Sequence, residues 1–291
     1  MIIEINLTKF GTKIIMNKIT ILGGSGFIGS HLADYLSKMN FKVTLFDIKK
    51  SPWLKKNQKM IIGDILDKKK LSLAIKGSDY IFNFAAVADM DFLKNQAIKT
   101  VKYNILGTVN ALEIAKKHKI KKFIHASTIY ANTEEGGFYG RSKKAAEDYV
   151  EEYQKKFNLN YTILRFGSIY GERAGPDNGI RQILDNVIFK KKLIYKGTKN
   201  SVRRYIHVKD AVKLCYKCIS KKFDNKYLIL TGRKGINANY LLTLFSKIFG
   251  IPKKNKLFLR NKGHYDKKPT PFRPREGKSI FPTQSDFTKK Y

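Results

Sequence analysis

Short β-rich runs alternate with helical patterns through the first two thirds of the 291-residue chain. The runs are ITIL from Ile19, KVTLF from Lys42, KMII from Lys59, YIFNF from Tyr80, KFIHA from Lys122 and YTILR from Tyr161. Between them, apolar residues recur at helical spacing: Ile28, Leu32, Tyr35, Leu36 and Met39; Ile105, Val109 and Leu112; then Ala146, Tyr149, Val150, Tyr153 and Phe157. Such alternation predicts an α/β fold with a doubly wound parallel sheet, and the helical residues are its core faces.

After Tyr170 the rhythm changes to a loop with Gly171, Gly175, Pro176 and Gly179, a helical segment near Ile180 to Lys190, and a basic stretch at Arg203-Arg204. A smaller C-terminal lobe is therefore expected from 171 to 291, with 205–230, ending in the strand-like YLIL, returning to the first domain at 16–170. Four of the seven prolines lie between Pro269 and Pro282, so that tail is expected to be irregular. Residues 1–15 read as either a leader or an extra edge strand.

Composition narrows the function. Two cysteines, Cys215 and Cys218, make no disulfide framework or zinc site, and their spacing suits core packing on one helix face. A reducing cytoplasm fits, and no run has the length of a membrane span. The net charge of +35 favours phosphates, nucleic acid or anionic membrane. The lysines fall in short runs along the whole chain, including Lys68 to Lys70, Lys121-Lys122 and Lys190 to Lys192, which reads as a solvated surface. A nucleic-acid site would concentrate them on one face with aromatics between, so nucleic acid is not the expected partner.

In ITILGGSGFIGSHL a strand runs into Gly23, Gly26 and Gly29, then an amphipathic helix. Bare glycines permit the tight turn, the approach of a pyrophosphate to the backbone and close helix–strand packing. Asp47 ends the next strand, where a carboxylate accepts the hydroxyls of an adenosine ribose. It would repel a 2′-phosphate, although Lys49 and Lys50 partly offset that, so NAD is the expected cofactor.

Tyr139 and Lys143, four residues apart at a helix start, face the same way. A lysine ammonium beside the phenol would favour phenolate and make Tyr139 a usable base for a sugar hydroxyl, with Thr128 steadying the developing oxyanion. Tyr-x-x-x-Lys also occurs at Tyr195/Lys199 and Tyr205/Lys209, which are expected to be surface coincidences. Only Tyr139 follows the fifth strand and its Ser127-Thr128 pair.

With GGSGFIGSHL, Asp47, GDILD, FNFAAVADM, NILGTVNALEIA, HASTIYA and YGRSK in order, the chain resembles an extended short-chain dehydrogenase/reductase of the NAD-dependent nucleotide-sugar epimerase/dehydratase family, similar to UDP-glucose 4-epimerases. The resemblance spans Met16 to Asp210 and implies a Rossmann-type domain with a substrate-binding C-terminal lobe. It implies cofactor contacts from Gly23, Gly26, Phe27, Ile28, Gly29, Asp47, Asp64, Ile65, Phe84, Ala85, Ala86, Asn104, Lys143 and Gly167, with Thr128, Tyr139 and Lys143 as the catalytic triad. It places Ala88 and Ser168 at the substrate and Asn178 and Arg203 at a nucleotide diphosphate. For Arg203, a solvated surface arginine is the alternative. A homodimer formed through helices near Asn104 and Ala145 is also implied.

HASTIYA is two residues shorter than the family's usual stretch. Sugar 4,6-dehydratases carry an Asp-Glu pair after the hydroxyl residue to eliminate water, whereas Ile129 and Tyr130 follow Thr128 here. Arg204 replaces the usual acid after the basic residue, and little matches after Tyr227. The expected activity is NAD-dependent epimerisation of a nucleotide-diphosphate sugar through a transient keto-sugar. Alternatives are a net sugar-nucleotide dehydrogenase, reductase or dehydratase, and a non-catalytic RNA-binding or regulatory member of the fold. The five histidines show no metal-ligand spacing, and no metal is expected.

Overall fold

The strands β1 (Lys18–Leu22), β2 (Lys42–Asp47), β3 (Gln58–Ile62), β4 (Tyr80–Asn83), β5 (Lys122–Thr128) and β6 (Tyr161–Phe166) follow the six β-rich runs. They belong to an eight-stranded sheet of order β14-β11-β6-β5-β4-β1-β2-β3, in which every pairing is parallel. The computed structural model describes residues 17–259 and 278–280. The leader at 1–15 lies outside the described residues.

The strands read as nearly unbroken apolar runs because helices cover both faces, and alternate residues feed alternate cores. On one face Ile19, Ile21, Val43, Leu45, Ile124 and Leu164 pack with Leu32 and Leu36 of α1 (Phe27–Lys38) and Ala211 and Leu214 of α7 (Val208–Lys217). On the other, Leu22, Phe46, Ile81, Phe123 and Ile163 meet Leu71 of α2 (Lys68–Ile75), Leu112 of α4 (Gly107–Lys117) and Val150 of α5 (Gly137–Phe157). The short α3 (Ala97–Lys99) runs into α4 through a wide π-helical stretch, Thr100–Leu106, which carries Asn104.

A third core sits at the C-terminal ends of the strands. It is built by α6 (Gly179–Lys190), β8 (Leu193–Tyr195), α8 (Ala238–Phe249) and β13 (Lys256–Phe258) around Ile183, Val187, Leu193, Leu241 and Leu242. Two small pairings tie it to the main domain: β7 (Ser168–Tyr170) with β10 (Tyr205–His207), and β9 (Val202–Arg203) with β12 (Ile236–Asn237). Between these segments the chain returns to the sheet through α7 and β11 (Lys226–Leu230), which pairs with β6.

Two expectations are corrected here. The proline-rich tail is not irregular throughout: Lys278–Ile280 form β14, paired parallel with Leu228–Leu230, because the outer edge of β11 offers unpaired backbone groups. The rest of that tail lies outside the described residues. The Lys121-Lys122 run is not wholly solvated. Lys122 is buried, and its ammonium donates to the carbonyls of Cys218, Ile219 and Ser220 and pairs with Asp224. It closes the negative end of α7. Cys215 and Cys218 are buried on that helix, and burial pushes both thiols up, Cys218 to about 12.

Candidate active site

β1 pairs with β2 on one side and β4 on the other, so strand order reverses at β1, and the glycine loop leaves the sheet at that crevice. Gly23 has φ +80, and a Cβ there would lie 2.7 Å from the backbone of Phe84 and Ala85. A Cβ on Gly29 would come 2.2 Å from the carbonyl oxygen of Gly23, so only glycine lets α1 sit this close to β1. Gly26 is the N-cap of α1 and provides no side-chain cap, leaving the first amides, at Phe27 and Ile28, for an anion. Asp47 accepts a hydrogen bond from the Ser25 amide at 2.9 Å, which ties it to the same loop. A positive helix end, a cradle that a Cβ would fill and a carboxylate at the next strand end fit the phosphates and ribose of a dinucleotide.

Further along the crevice, Asp64 turns the chain by accepting from the Leu66 amide at 2.9 Å, and the Phe84 amide donates to the Leu22 carbonyl, aligning Phe84-Ala85-Ala86 with the loop. The side chains of two further expected cofactor residues are engaged within the protein. Ile65 is buried, with its side chain packed under Gly107. Asn104 is fully buried and its amide is committed: Oδ1 accepts from the Val87 amide (2.9 Å), and Nδ2 donates to the Val87 carbonyl (3.0 Å) and Ser142 Oγ (2.9 Å). Asn104 therefore acts as a brace between the crevice wall and α5.

Thr128 ends β5, and its side chain approaches the Tyr139 hydroxyl at the start of α5 closely enough to act on its ionisation. Lys143, one turn on, is 2% exposed. The expected acidification of Tyr139 by Lys143 is not what the structure shows. Burial pushes the phenol up to about 12, the nearby Thr128 hydroxyl opposes this, and Tyr130 adds to it. Lys143 is itself pushed down to about 8 by burial, against the attraction of Glu147. For both groups desolvation is the largest cause, because burial disfavours the charged form of each.

A cavity of about 420 Å³ opens between the sheet and the C-terminal lobe, reached from Thr128 through Tyr130, two residues on. Ala88, Tyr130, Gly167 and Ser168 line it from the main domain, and Asn178, Gln182, Asn186 and Lys196 from the lobe. Gly167 lies on the cavity wall, and its amide donates to the Leu230 carbonyl. Asn178 caps α6 by accepting from the amides of Ile180 and Arg181 and donates to the Ile169 carbonyl, so one amide proton remains for a ligand. The N-terminus of α6 itself faces the cavity, a fit for phosphate. Arg203 is buried rather than solvated, close enough to Tyr130 to interact electrostatically.

Tyr195 and Tyr205, expected at the surface, line this cavity instead, and Lys209 pairs with Glu172 rather than serving Tyr205. They arrive from β8 and β10, whose return over the sheet no local pattern announces. Tyr130 was likewise missed as a cavity residue. Among the described residues no group of three or more His, Cys, Asp or Glu could hold a metal ion, and no helix is long and apolar enough to cross a membrane.

The profile of the NAD dependent epimerase/dehydratase family matches residues 19–229. A dTDP-D-glucose 4,6-dehydratase of Dictyostelium discoideum is 33% identical over 234 residues, 68% of this chain, and the match spans only 54% of that relative. A putative UDP-glucose 4-epimerase of Methanocaldococcus jannaschii is 27% identical over 280 residues, 89% of this chain and 87% of the relative. The solved UDP-glucose 4-epimerase of Thermotoga maritima, with UDP-glucose, superposes with a TM-score of 0.78 at 26% identity, over 86% of this chain and 89% of that one. With the family profile lying across the glycine cradle, Thr128, Tyr139 and Lys143, the chain belongs to the NAD-dependent epimerase/dehydratase family, and its cofactor is NAD.

Proposed function

We propose that the chain epimerises a nucleotide-activated sugar. The observation that supports this most is the placement of Tyr139 beside Thr128 and one turn before Lys143 on α5, with no carboxylate following Thr128, where Ile129 and Tyr130 form a tight 3-10 turn. Of the carboxylates that line the cavity, Asp89 accepts from the amides of Asp91 and Phe92, Asp91 pairs with Lys94, and Asp177 lies in the loop before α6; none of the three directly follows Thr128.

The sugar hydroxyl would lie between Thr128 Oγ1 and the Tyr139 hydroxyl, where Tyr139 accepts its proton as the carbon is oxidised. Bound NAD supplies the hydride acceptor and, through its cationic ring, a second positive charge favouring the phenolate. Lys143 holds its ammonium one turn away, within reach of a ribose hydroxyl. Once the keto-sugar has turned its other face, Tyr139 would return the proton to the keto oxygen as the hydride removed in the first half comes back to the carbon. The N-terminus of α6 and Arg203 would hold the diphosphate, and Ala88 and Ser168 the sugar. A homodimer is part of the same proposal, with Val101 and Leu106 of the π-helical stretch exposed on a helical face that a second copy would cover.

The Dictyostelium relative favours a second reading, loss of water from the sugar. Incubation of the purified chain with UDP-, GDP- and dTDP-sugars and catalytic NAD in deuterated water separates the two. A new epimer without NADH accumulation, lost in Tyr139→Phe, supports epimerisation. Stoichiometric NADH indicates a dehydrogenase, and a product lighter by one water with solvent deuterium indicates a dehydratase.

A further inference from the structure

The turn after Thr128 carries a tyrosine, Tyr130, and the structure holds it firmly. The Tyr130 amide donates to Thr128 Oγ1 at 3.2 Å, and the Tyr130 carbonyl accepts from the Thr133 amide at 3.2 Å. The start of α5 closes over that carbonyl: a Cβ at Gly136 or Gly140 would come within 2.5 or 2.6 Å of its oxygen. Glycine at both positions lets the helix clamp the turn, which fixes where the ring projects.

The ring lines the cavity together with Ala88, Gly167 and Ser168. Tyr130 is also within electrostatic reach of Tyr139 on one side and of Arg203 on the other. A nucleotide sugar with its reacting hydroxyl at Tyr139 and its diphosphate toward Arg203 and α6 runs its pyranose along this wall. Burial pushes the Tyr130 phenol up, so it stays neutral and can donate a hydrogen bond.

We propose that Tyr130 is a sugar-positioning residue whose phenol hydrogen-bonds the pyranose of the nucleotide sugar while the ring packs along it. This rests on the nucleotide-sugar reading above. It assigns to Tyr130 the discrimination between a nucleotide sugar and the bare nucleotide, because a phenol placed between the reacting hydroxyl and the diphosphate meets only the sugar. It also limits how the keto-sugar lies as it turns within the cavity.

The test is calorimetric titration of the full chain and its Tyr130→Phe variant, both loaded with NAD, using UDP-glucose, dTDP-glucose, UDP and dTDP. Tyr130→Phe is expected to weaken nucleotide-sugar binding about 3- to 10-fold, the effect of one neutral hydrogen bond. Binding of UDP, dTDP and NAD should change less than about 2-fold on the same reasoning. An unchanged sugar-nucleotide affinity overturns the proposal, as does an equal loss for nucleotide and nucleotide sugar, which would make Tyr130 a scaffold or phosphate residue. Absence of binding by any of the four nucleotides to the parent chain also overturns it. Binding without turnover, with the selective loss in Tyr130→Phe, would leave the Tyr130 assignment standing and remove the epimerase reading. If Tyr130→Phe does not fold, a crystal structure of the parent chain with UDP-glucose decides: a Tyr130 hydroxyl within hydrogen-bond distance of a sugar oxygen supports the proposal, and a phenol turned away from the sugar overturns it.

Discussion

Glu147 of α5 and Arg165 of β6 form a two-point ion pair, Nε to Oε1 at 2.9 Å and Nη2 to Oε2 at 2.6 Å, with side chains 0% and 4% exposed. Arg165 also lies over the Tyr227 ring at 4.4 Å. Glu147 is one turn beyond Lys143 and draws on its ammonium, so one line of α5 joins the catalytic residues to a buried charge pair.

Glu147→Leu strands the guanidinium of Arg165 in the core. A loss of about 3–5 kcal/mol in unfolding free energy is expected from breaking a buried pair on one side. The double variant Glu147→Leu/Arg165→Met should lose much less. Urea denaturation of all three chains reads the difference, and a single-variant cost below about 1 kcal/mol would show that the pair does not hold α5 to the sheet.

Lys143 gives a pH signature of stability. Its folded value of about 8 lies below its ordinary 10.5, so between these the unfolded chain binds more protons and stability contributed at this site rises with pH. Against Lys143→Met, the parent chain should gain on the order of 3 kcal/mol from pH 8 to 10.5, at about 1.36 kcal/mol per pK unit. Denaturation midpoints of both chains across that range test the sign; a parent chain that loses ground as pH rises would contradict it.

Gly29→Ala should separate α1 from the loop. The added methyl would lie 2.2 Å from the Gly23 carbonyl oxygen, a backbone atom that cannot swing aside. Overpacking of this kind costs about 1–3 kcal/mol, and moving the α1 N-terminus should weaken NAD binding at least about tenfold, since amide donors and phosphate must meet closely. Fluorescence titration with NAD measures it, and unchanged affinity would mean that the cradle tolerates a side chain.

Dimerisation is expected through the exposed apolar face of the π-helical stretch and α5. Val101 is 53% and Leu106 48% exposed, and Tyr149 of α5 is 47% exposed. Light scattering should give twice the chain mass for the parent, while Val101→Asp/Leu106→Asp gives monomer. A monomeric parent chain would end the dimer proposal.

The glycine loop, Asp47 and the Tyr139/Lys143 spacing were legible in the sequence because each depends on backbone geometry over a few residues. Apolar periodicity carried the parallel sheet for the same reason, since strand and helix faces are local repeats. Asn104 reads as a cofactor residue by resemblance, yet its amide is used up on Val87 and on Ser142, 38 positions away. The Tyr195 and Tyr205 patterns look like surface coincidences until β8 and β10 fold back over the sheet and bring both rings to the cavity.

The sequence by itself determined the fold class, the cofactor and the one-turn spacing of Tyr139 and Lys143, since local spacing and turn-forming glycines have few structural solutions. Only the tertiary structure decided the protonation balance of that pair, the burial of Arg203 and Lys122, the edge strand from the tail and the place of Tyr130 on the cavity wall. Burial, dielectric environment and contacts between segments far apart in the chain set each of these, and none is a property of neighbouring residues alone.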